Sequence, residues 1–253
     1  MDDNDEQNLR QIKKHIGESF QQMTKYPRGD FPRKLLNETI EASPFKSYPD
    51  AELIPLPEPL TTGGAPLWTV IAKRRSHRQF AADPLDLQEL SQILWAAQGI
   101  TFATQGFGFR AAPSAGALYP TETYFVTNRV NDLHPGLYHF NVREFAIEFL
   151  IDGEFGPLLA AAALGQNMVE RAAITVIWTA IISRNAWKYD QRAYRYIYLD
   201  AAHVAQNLML GATALGLGTC GIGAFYDDKV NSILGVDGYT ETALYLCVVG
   251  KLK

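Results

Sequence analysis

The sequence predicts an α+β or α/β domain in which a central β-sheet is flanked by helices. Two observations support this prediction: apolar segments that suit strands alternate with segments of helical spacing over residues 67–253, and no internal repeat interrupts their order. Apolar residues make up 47% of the chain and charged residues 20%, which is typical of a globular protein. We find no boundary inside residues 67–253, so this part is predicted to be one domain.

Residues 1–66 differ in composition from the rest of the chain. Residues 8–24 have helical character, whereas six of the 13 prolines fall within residues 44–66. Proline fixes the backbone φ angle and removes an amide donor, so residues 44–66 are predicted to be extended and irregular. Because residues 1–66 hold too few apolar side chains for a core of their own, we interpret them as an arm that lies over the main domain.

The main domain has a helix whose start carries a capping signal. Asp86 and Glu89 have the spacing of a capping box, apolar residues follow at helical spacing, and Gly99 ends the segment. Strands are predicted at residues 121–128, 137–140, 146–150, 172–183, 219–225 and 242–250, the second and third of which form a hairpin. Helices are predicted at residues 154–165, 190–215 and 227–234.

Charge and apolar content exclude several classes of protein. The formal net charge is −4, which argues against a nucleic-acid or membrane-surface binder, because either would need a broad basic face. The longest apolar run, residues 172–182, is roughly half of what spans a bilayer and is predicted to be a buried strand. The N-terminal residues lack the pattern of a signal peptide, and Cys220 and Cys247 form no C-x-x-C pair. We therefore expect a cytoplasmic protein.

A short basic segment carries the first chemical signal. Residues 73–78 place four cations and the hydroxyl of Ser76 just before the capped helix. Arginine offers a planar, bidentate fork that suits a phosphate dianion, and a serine hydroxyl adds a short donor. The alternative is a solvated basic turn without a ligand.

Two loops of small residues complete the set of motifs. Residues 111–120 surround Ser114 with alanine and glycine between two prolines, so the backbone can approach a flat ligand closely; the alternative is a tight loop before a strand. Residues 215–225 contain four glycines that can present amide donors to a ligand, or can simply end a helix before a packed strand. The glycine spacing is not G-x-G-x-x-G, so a Rossmann nicotinamide site is poorly supported.

The three motifs, in this order, resemble the nitroreductase-like flavoprotein superfamily, and within it the SagB-type azoline dehydrogenases that form thiazoles and oxazoles in peptides. The resemblance implies a nitroreductase-like mixed or antiparallel sheet and a domain-entwined homodimer with FMN sites at the subunit interface. It assigns the FMN phosphate, ribityl chain and pyrimidine edge to Arg74, Arg75, Ser76 and Arg78, with Lys251 as a tentative phosphate contact.

The resemblance also assigns the remaining flavin contacts. The P-S-A-G loop, Pro113, Ser114, Ala115 and Gly116, is expected to reach the flavin of the partner subunit. Gln166 matches an amide that touches the flavin ring, and Gly221, Ile222 and Gly223 match the loop beside the isoalloxazine.

The Lys-Tyr pair, Lys188 and Tyr189, carries the resemblance to the SagB-type branch, in which such a pair serves catalysis. Lys188 can act as a base if burial or Arg192 favours the neutral amine, and Tyr189 can donate to, or relay from, the ring heteroatom. The sequence leaves open which of the two takes the proton. The alternatives are an exposed lysine and a tyrosine patch at a dimer interface. His203 is interpreted as a core or interface histidine, and the histidine spacing predicts no metal site.

Three functions remain open from the sequence. The first is FMN-dependent oxidation of azolines to azoles in a peptide, with a cyclodehydratase as a possible partner. The second is an NAD(P)H-dependent nitro or quinone reductase of the same fold. The third is a flavin-binding subunit without turnover.

Overall fold

A computed structural model describes residues 3–26, 42–104 and 107–253 of the chain. It confirms the predicted α+β fold class. Seven strands form one sheet in the order β1-β6-β5-β4-β7-β9-β8, and every neighbouring pair is antiparallel. These strands are β1 (Glu52–Pro55), β4 (Thr121–Thr127), β5 (Gly136–Asn141), β6 (Ala146–Asp152), β7 (Ile174–Ile181), β8 (Leu217–Ile222) and β9 (Glu241–Lys251). A separate antiparallel hairpin is formed by β2 (Ile100–Thr104) and β3 (Phe107–Arg110).

The helices of the described residues are α1 (Asp3–Met23), α2 (Leu67–Lys73), α3 (Leu87–Gln98), α4 (Gly156–Ala162), α5 (Met168–Arg171), α6 (Ser183–Tyr189), α7 (Ala193–Ala214) and α8 (Asp227–Leu234). Helices α3 and α7 cover one face of the sheet, and α4, α5 and α8 cover the other. A 3₁₀ turn, Asp190–Arg192, joins α6 to α7. Among the described residues, none of these helices is long and apolar enough to cross a bilayer.

The apolar core has two layers, one on each face of the sheet. In β7, Val176 and Trp178 face the layer formed with α3 and α7, whereas Ile177 faces the layer formed with α4, α5 and α8. Successive side chains of a strand point to opposite faces, so a strand covered on both faces must be apolar at every position. This arrangement explains the continuous apolar run that the sequence shows at residues 172–182.

The capping prediction at the start of α3 is confirmed. The Glu89 amide donates to Asp86 Oδ1 at 2.7 Å, and the Asp86 amide donates to Glu89 Oε2 at 3.0 Å. Each side chain thus satisfies a backbone donor that the first helical turn leaves free. The helix ends at Gln98, with Gly99 as its C-terminal cap, as predicted.

The other predicted helices and strands are also present, with shifted ends. The predicted strand at residues 219–225 is β8, which begins at Leu217 and ends at Ile222. Gly216, with a φ of +75°, makes the left-handed turn out of α7, so the strand can start directly after it.

Residues 44–66 are not irregular throughout, and here the prediction is corrected. Leu53 and Ile54 pair with Glu148 and Ile147, so β1 of the arm is the edge strand of the main sheet. Pro55 ends this short strand, and an edge strand tolerates proline because one side of it needs no ladder hydrogen bonds. The short helices α2 and α6 and the β2–β3 hairpin were not predicted.

Candidate active site

The basic segment after α2 lies along the outer edge of β8. Ser76 forms a parallel bridge with Thr219, and the His77 amide donates to the Thr219 carbonyl at 2.8 Å. Arg74 already has an extended backbone, with φ −52° and ψ 123°. We call residues 74–78, held in this way beside β8, the basic edge.

The arginines of the basic edge have no acidic partner within the described part of the chain. Among the described residues, no carboxylate forms an ion pair with Arg74, Arg75 or Arg78. Arg75 Nη1 donates only to the carbonyls of Ala72, at 3.0 Å, and Arg74, at 2.7 Å. Arg75 and Arg78 are exposed and Arg74 is half-buried. Three solvent-accessible guanidinium groups beside a serine hydroxyl fit a phosphate ester.

The predicted ring contacts lie further along the same strand. A Cβ on Gly221 would overlap the hydroxyl of Tyr245, whereas a Cβ on Gly223 would meet no atom within 4 Å. Gln166 Nε2 donates to the carbonyls of Ala163, at 2.9 Å, and Ala224, at 3.0 Å. This amide therefore ties the loop after α4 to the loop after β8. Arg74, Arg75, Ser76, Arg78, Gln166 and Gly221–Gly223 form what we call the β8 group.

Lys251 has a different neighbour from the one predicted. Its ammonium forms an ion pair with Glu89 at the start of α3. A charge already paired within the chain is a weaker anion ligand than the free guanidinium groups of the basic edge. The phosphate contact of Lys251 stays a prediction.

The P-S-A-G loop, Pro113–Gly116, is fixed to the long helix α7 by one buried carboxylate. Ser114 Oγ donates to Asp200 Oδ2 at 2.6 Å, and the Ala115 amide donates to Asp200 Oδ1 at 3.1 Å. The Tyr119 amide in turn donates to Ser114 Oγ at 2.9 Å. Burial raises the pKa of Asp200, although the donors Ser114 and Ala115 favour its ionised form. The position of the loop is thus set by hydrogen bonds at both ends.

Gly116 places the backbone of this loop directly against the Lys-Tyr pair. Its φ is +66°, and a Cβ built on it would lie 2.5 Å from Tyr189 Oη and 2.8 Å from Lys188 Nζ. Any side chain at position 116 would occupy the space of both functional groups. Two motifs that are distant in the sequence therefore meet at one place. Pro113–Gly116, Lys188 and Tyr189 form what we call the α6 group.

Lys188 and Tyr189 lie in the last turn of α6 and are half-buried. The alternative of an exposed lysine before a helix is therefore wrong. Lys188 Nζ lies 5.4 Å from the centroid of the Tyr189 ring, and that ring packs edge-to-face on Tyr196 with centroids 4.8 Å apart. Burial raises the pKa of Tyr189, and Tyr196 and Asp200 raise it further. The phenol of Tyr189 is consequently a donor at neutral pH.

The end of α1 packs beside the α6 group, which the sequence did not predict. Arg192 Nη1 donates to the Thr24 carbonyl at 2.6 Å, and Tyr196 Oη contacts Tyr26 Oη at 3.5 Å. Burial and the Tyr196 hydroxyl raise the pKa of Tyr26 to about 12. Part of the arm thus borders the candidate site of the same chain. His203, by contrast, lies exposed on α7, so it is not a core histidine, and the alternative of an interface histidine stays a prediction.

No hydrogen bond or ion pair among the described residues joins the β8 group to the α6 group of the same chain. The β8 group offers cations and backbone amides, and the α6 group offers an amine, a phenol and a small-residue loop.

The sequence profile of the nitroreductase family matches residues 71–251, so the chain belongs to the nitroreductase family. It is therefore an oxidoreductase of a flavoprotein family.

Individual proteins resemble the chain to different extents. A protein of Methanocaldococcus jannaschii named as a nitroreductase, MJ1384, is 42% identical over 72% of this chain and 89% of its own length. The trifolitoxin-processing protein TfxB of Rhizobium leguminosarum bv. trifolii is 30% identical over 55% of this chain but only 39% of its own. A chain of the Escherichia coli microcin synthetase McbBCD complex shares the fold, with a TM-score of 0.62 and 18% identity over 94% of this chain and 92% of that chain.

Proposed function

We propose that this protein binds FMN and oxidises azoline rings in a peptide to azoles. The observation that supports it most is the contact of the Gly116 backbone with Lys188 and Tyr189, because it joins a small-residue loop to a pair of proton-transfer groups. The reaction removes a proton and a hydride from the azoline ring. It therefore requires a base, a hydride acceptor and a surface that holds the ring between them.

The β8 group is our candidate for the flavin site. Arg74, Arg75, Ser76 and Arg78 would hold the phosphate and ribityl chain, while Gln166 and Gly221–Gly223 would lie beside the ring. When bound, the flavin supplies the hydride acceptor of the reaction. The solvent-accessible arginines of the basic edge, which form no ion pair with the described residues, fit its phosphate.

We assign the two proton-transfer roles to the Lys-Tyr pair. The raised pKa of Tyr189 keeps its phenol protonated, so it suits a donor to the ring heteroatom. Lys188 Nζ, next to it and next to Gly116, is then the candidate base that takes the carbon-bound proton. The half-buried position of both groups limits the water that could compete with the substrate.

We further propose that the active form is a homodimer. The β8 group of one subunit and the α6 group of its partner would then line one site, which agrees with the lack of a direct bond between these groups among the described residues of one chain. The names of TfxB and the McbBCD complex, a toxin-processing protein and a microcin synthetase, agree with a peptide substrate and with a partner that supplies it, such as a cyclodehydratase.

The test is oxidation of a synthetic azoline-containing peptide by the flavin-loaded protein, followed by mass spectrometry. We expect a loss of two hydrogen atoms from the peptide. In Lys188→Ala we expect this rate to fall by about 100-fold or more, as for loss of a general base, with flavin retained. Lys229→Ala, on the surface of α8, is the matched control and should keep the wild-type rate.

An unchanged rate in Lys188→Ala would remove the proposed role of the Lys-Tyr pair. No oxidation of the peptide by the wild-type protein would remove the proposed substrate.

The second candidate is a nitro or quinone reductase that draws hydride from NAD(P)H. The 42% identity to a protein named as a nitroreductase favours it. Fast NAD(P)H oxidation with a quinone, at the same rate in Lys188→Ala, would decide for this reading. A yellow protein that carries out neither reaction would be a flavin-binding subunit without turnover.

A further inference from the structure

Arg184 lies on α6 one turn before Lys188, and it is almost completely buried, with 2% of its surface exposed. Its Nη1 donates to Glu122 Oε1 at 2.5 Å and to the Tyr119 carbonyl at 3.0 Å. Its Nε donates to the Ser43 carbonyl at 2.6 Å. One guanidinium thus connects α6 to β4, to Tyr119, three residues after the P-S-A-G loop, and to the arm.

Glu122 is in turn held by a buried histidine. His139 Nε2 lies 2.9 Å from Glu122 Oε2, and His139 Nδ1 lies 2.7 Å from Glu148 Oε2. Carboxylates only accept, so both ring nitrogens of His139 donate. Asn141 Nδ2 completes the chain of bonds with a donation to Glu148 Oε1 at 2.8 Å. We call Arg184, Glu122, His139 and Glu148 the buried ionic chain.

The positive and negative side chains of the buried ionic chain stabilise each other's charged forms. Burial by itself would raise the pKa of Glu122, but Arg184 and His139 outweigh burial and hold that pKa at about 2. Burial likewise disfavours the charged form of His139, but the hydrogen bonds to Glu122 and Glu148 raise the pKa of His139. Arg184 therefore meets a permanent, fixed carboxylate.

Helix α6 needs such an anchor. It has only seven residues, and no side chain caps its start. A helix this short is not stable by itself, so tertiary contacts set its position. Arg184 and Lys188 are four residues apart and so lie near the same face of the helix, one turn from each other. The same guanidinium also holds the Tyr119 carbonyl, five residues after Ser114 in the chain.

We propose that Arg184, held by Glu122, is a positioning residue that fixes Lys188 and Tyr189 against the Gly116 backbone. This inference rests on the proposed function of the α6 group. Arg184 contacts neither the substrate nor the reacting atoms, and it acts by fixing the position of α6. A displacement of catalytic groups by about 1 Å can cost on the order of 100-fold in rate, so loss of this anchor should be visible in turnover.

The test compares Arg184→Gln with a change in another ion pair of the fold. The half-buried Lys46 forms a 2.6 Å pair with Glu241, and none of its hydrogen bonds or ion pairs with described residues reaches α6, so Lys46→Gln is the control for general destabilisation. In Arg184→Gln we expect kcat for azoline oxidation to fall by about 10- to 100-fold, with KM and flavin content nearly unchanged. Lys46→Gln should lower the melting temperature but keep kcat within about threefold.

Two further variants separate positioning from folding. Arg184→Lys keeps a buried cation opposite Glu122, so it should fold if Arg184→Gln does not, and it should recover part of kcat. In a Lys188→Ala background, Arg184→Gln should cause little additional loss, because both changes remove the same step. Independent, multiplicative losses in that double variant would contradict positioning through Lys188.

A measurement without turnover tests the same inference if azolines prove not to be the substrate. Hydrogen exchange of the backbone amides of α6 should become about 10-fold faster or more in Arg184→Gln or, if that variant does not fold, in Arg184→Lys, and should stay unchanged in Lys46→Gln. Unchanged exchange in α6 would overturn the positioning role, whatever the substrate. If the wild-type protein does not oxidise the peptide, that result would overturn only the proposed function.

Discussion

The β8 group and the α6 group differ in how the fold holds them. The basic edge joins the sheet through a single bridge at Ser76, and Arg75 and Arg78 are exposed. The Lys-Tyr pair is half-buried on a helix that Arg184 ties to three other segments. The first arrangement suits the capture of a charged ligand from solvent, and the second suits reacting groups whose positions must not vary. We therefore expect changes in the β8 group to weaken flavin binding and changes in the α6 group to slow turnover.

The largest expected effect is on the free energy of unfolding at acidic pH. It concerns only the buried ionic chain that holds α6. The pKa of Glu122 is about 2 in the folded protein against an ordinary value of 4.5. Its contribution is therefore present above pH 4.5 and is lost as the pH falls through about 2. It amounts to on the order of 3 kcal/mol of unfolding free energy.

Denaturant titrations of wild type and Glu122→Gln between pH 5 and pH 2 check this expectation. The variant should be less stable at pH 5 and should lose less stability on acidification, because glutamine does not titrate. If the free energy of unfolding falls equally with pH in the two proteins, Glu122 does not contribute in this way.

The next effect concerns the basic edge. Arg74→Gln with Arg75→Gln removes two of the cations assigned to the phosphate, and hydrogen bonds to charged groups contribute about 1.5–3 kcal/mol each. We expect the Kd for FMN to rise by about 100-fold or more, with kcat at saturating FMN nearly unchanged. Titration with FMN, followed by fluorescence, gives the Kd. A fall in kcat without a change in Kd would reverse the roles of the two groups.

The smallest effect sharpens the role of the Gly116 contact. In Gly116→Ala the new methyl group would press on the flexible ends of Lys188 and Tyr189, so we expect kcat to fall by about 10-fold with flavin retained. Gly235→Ala is the matched control: its φ is also positive, at +70°, but its Cβ meets nothing within 4 Å. Equal activity of the two variants would show that backbone strain alone explains the result.

Local signals were sufficient to predict most of the fold. The capping box at Asp86 and the apolar run of β7 act over a few residues, so the sequence displays them directly. Helices α2 and α6 are only seven residues long, which is too short for a clear helical period, and they lack the alanine- and leucine-rich composition that revealed α4, which has the same length. The arm prediction missed β1 because its partner strand lies about 90 residues away, and strand pairing of that kind is not a local property.

The same distinction between local signals and long-range contacts applies to the candidate site. Its motifs could be found in the sequence, but their meeting could not, since Ser114 and Asp200 are 86 residues apart and Glu122 and Arg184 are 62 apart. Nothing in the sequence around Arg184 distinguishes it from a surface arginine. Only the fold shows that its partner is a buried carboxylate.

The central claim is that the chain holds a flavin mononucleotide through the basic edge. The most direct measurement is the visible absorption spectrum of the purified protein, titrated with FMN and followed by identification of the flavin released on denaturation. Our account predicts a yellow protein that saturates with FMN equimolar to the chain and releases FMN rather than FAD. A protein that stays colourless after incubation with excess FMN and removal of unbound flavin would contradict it.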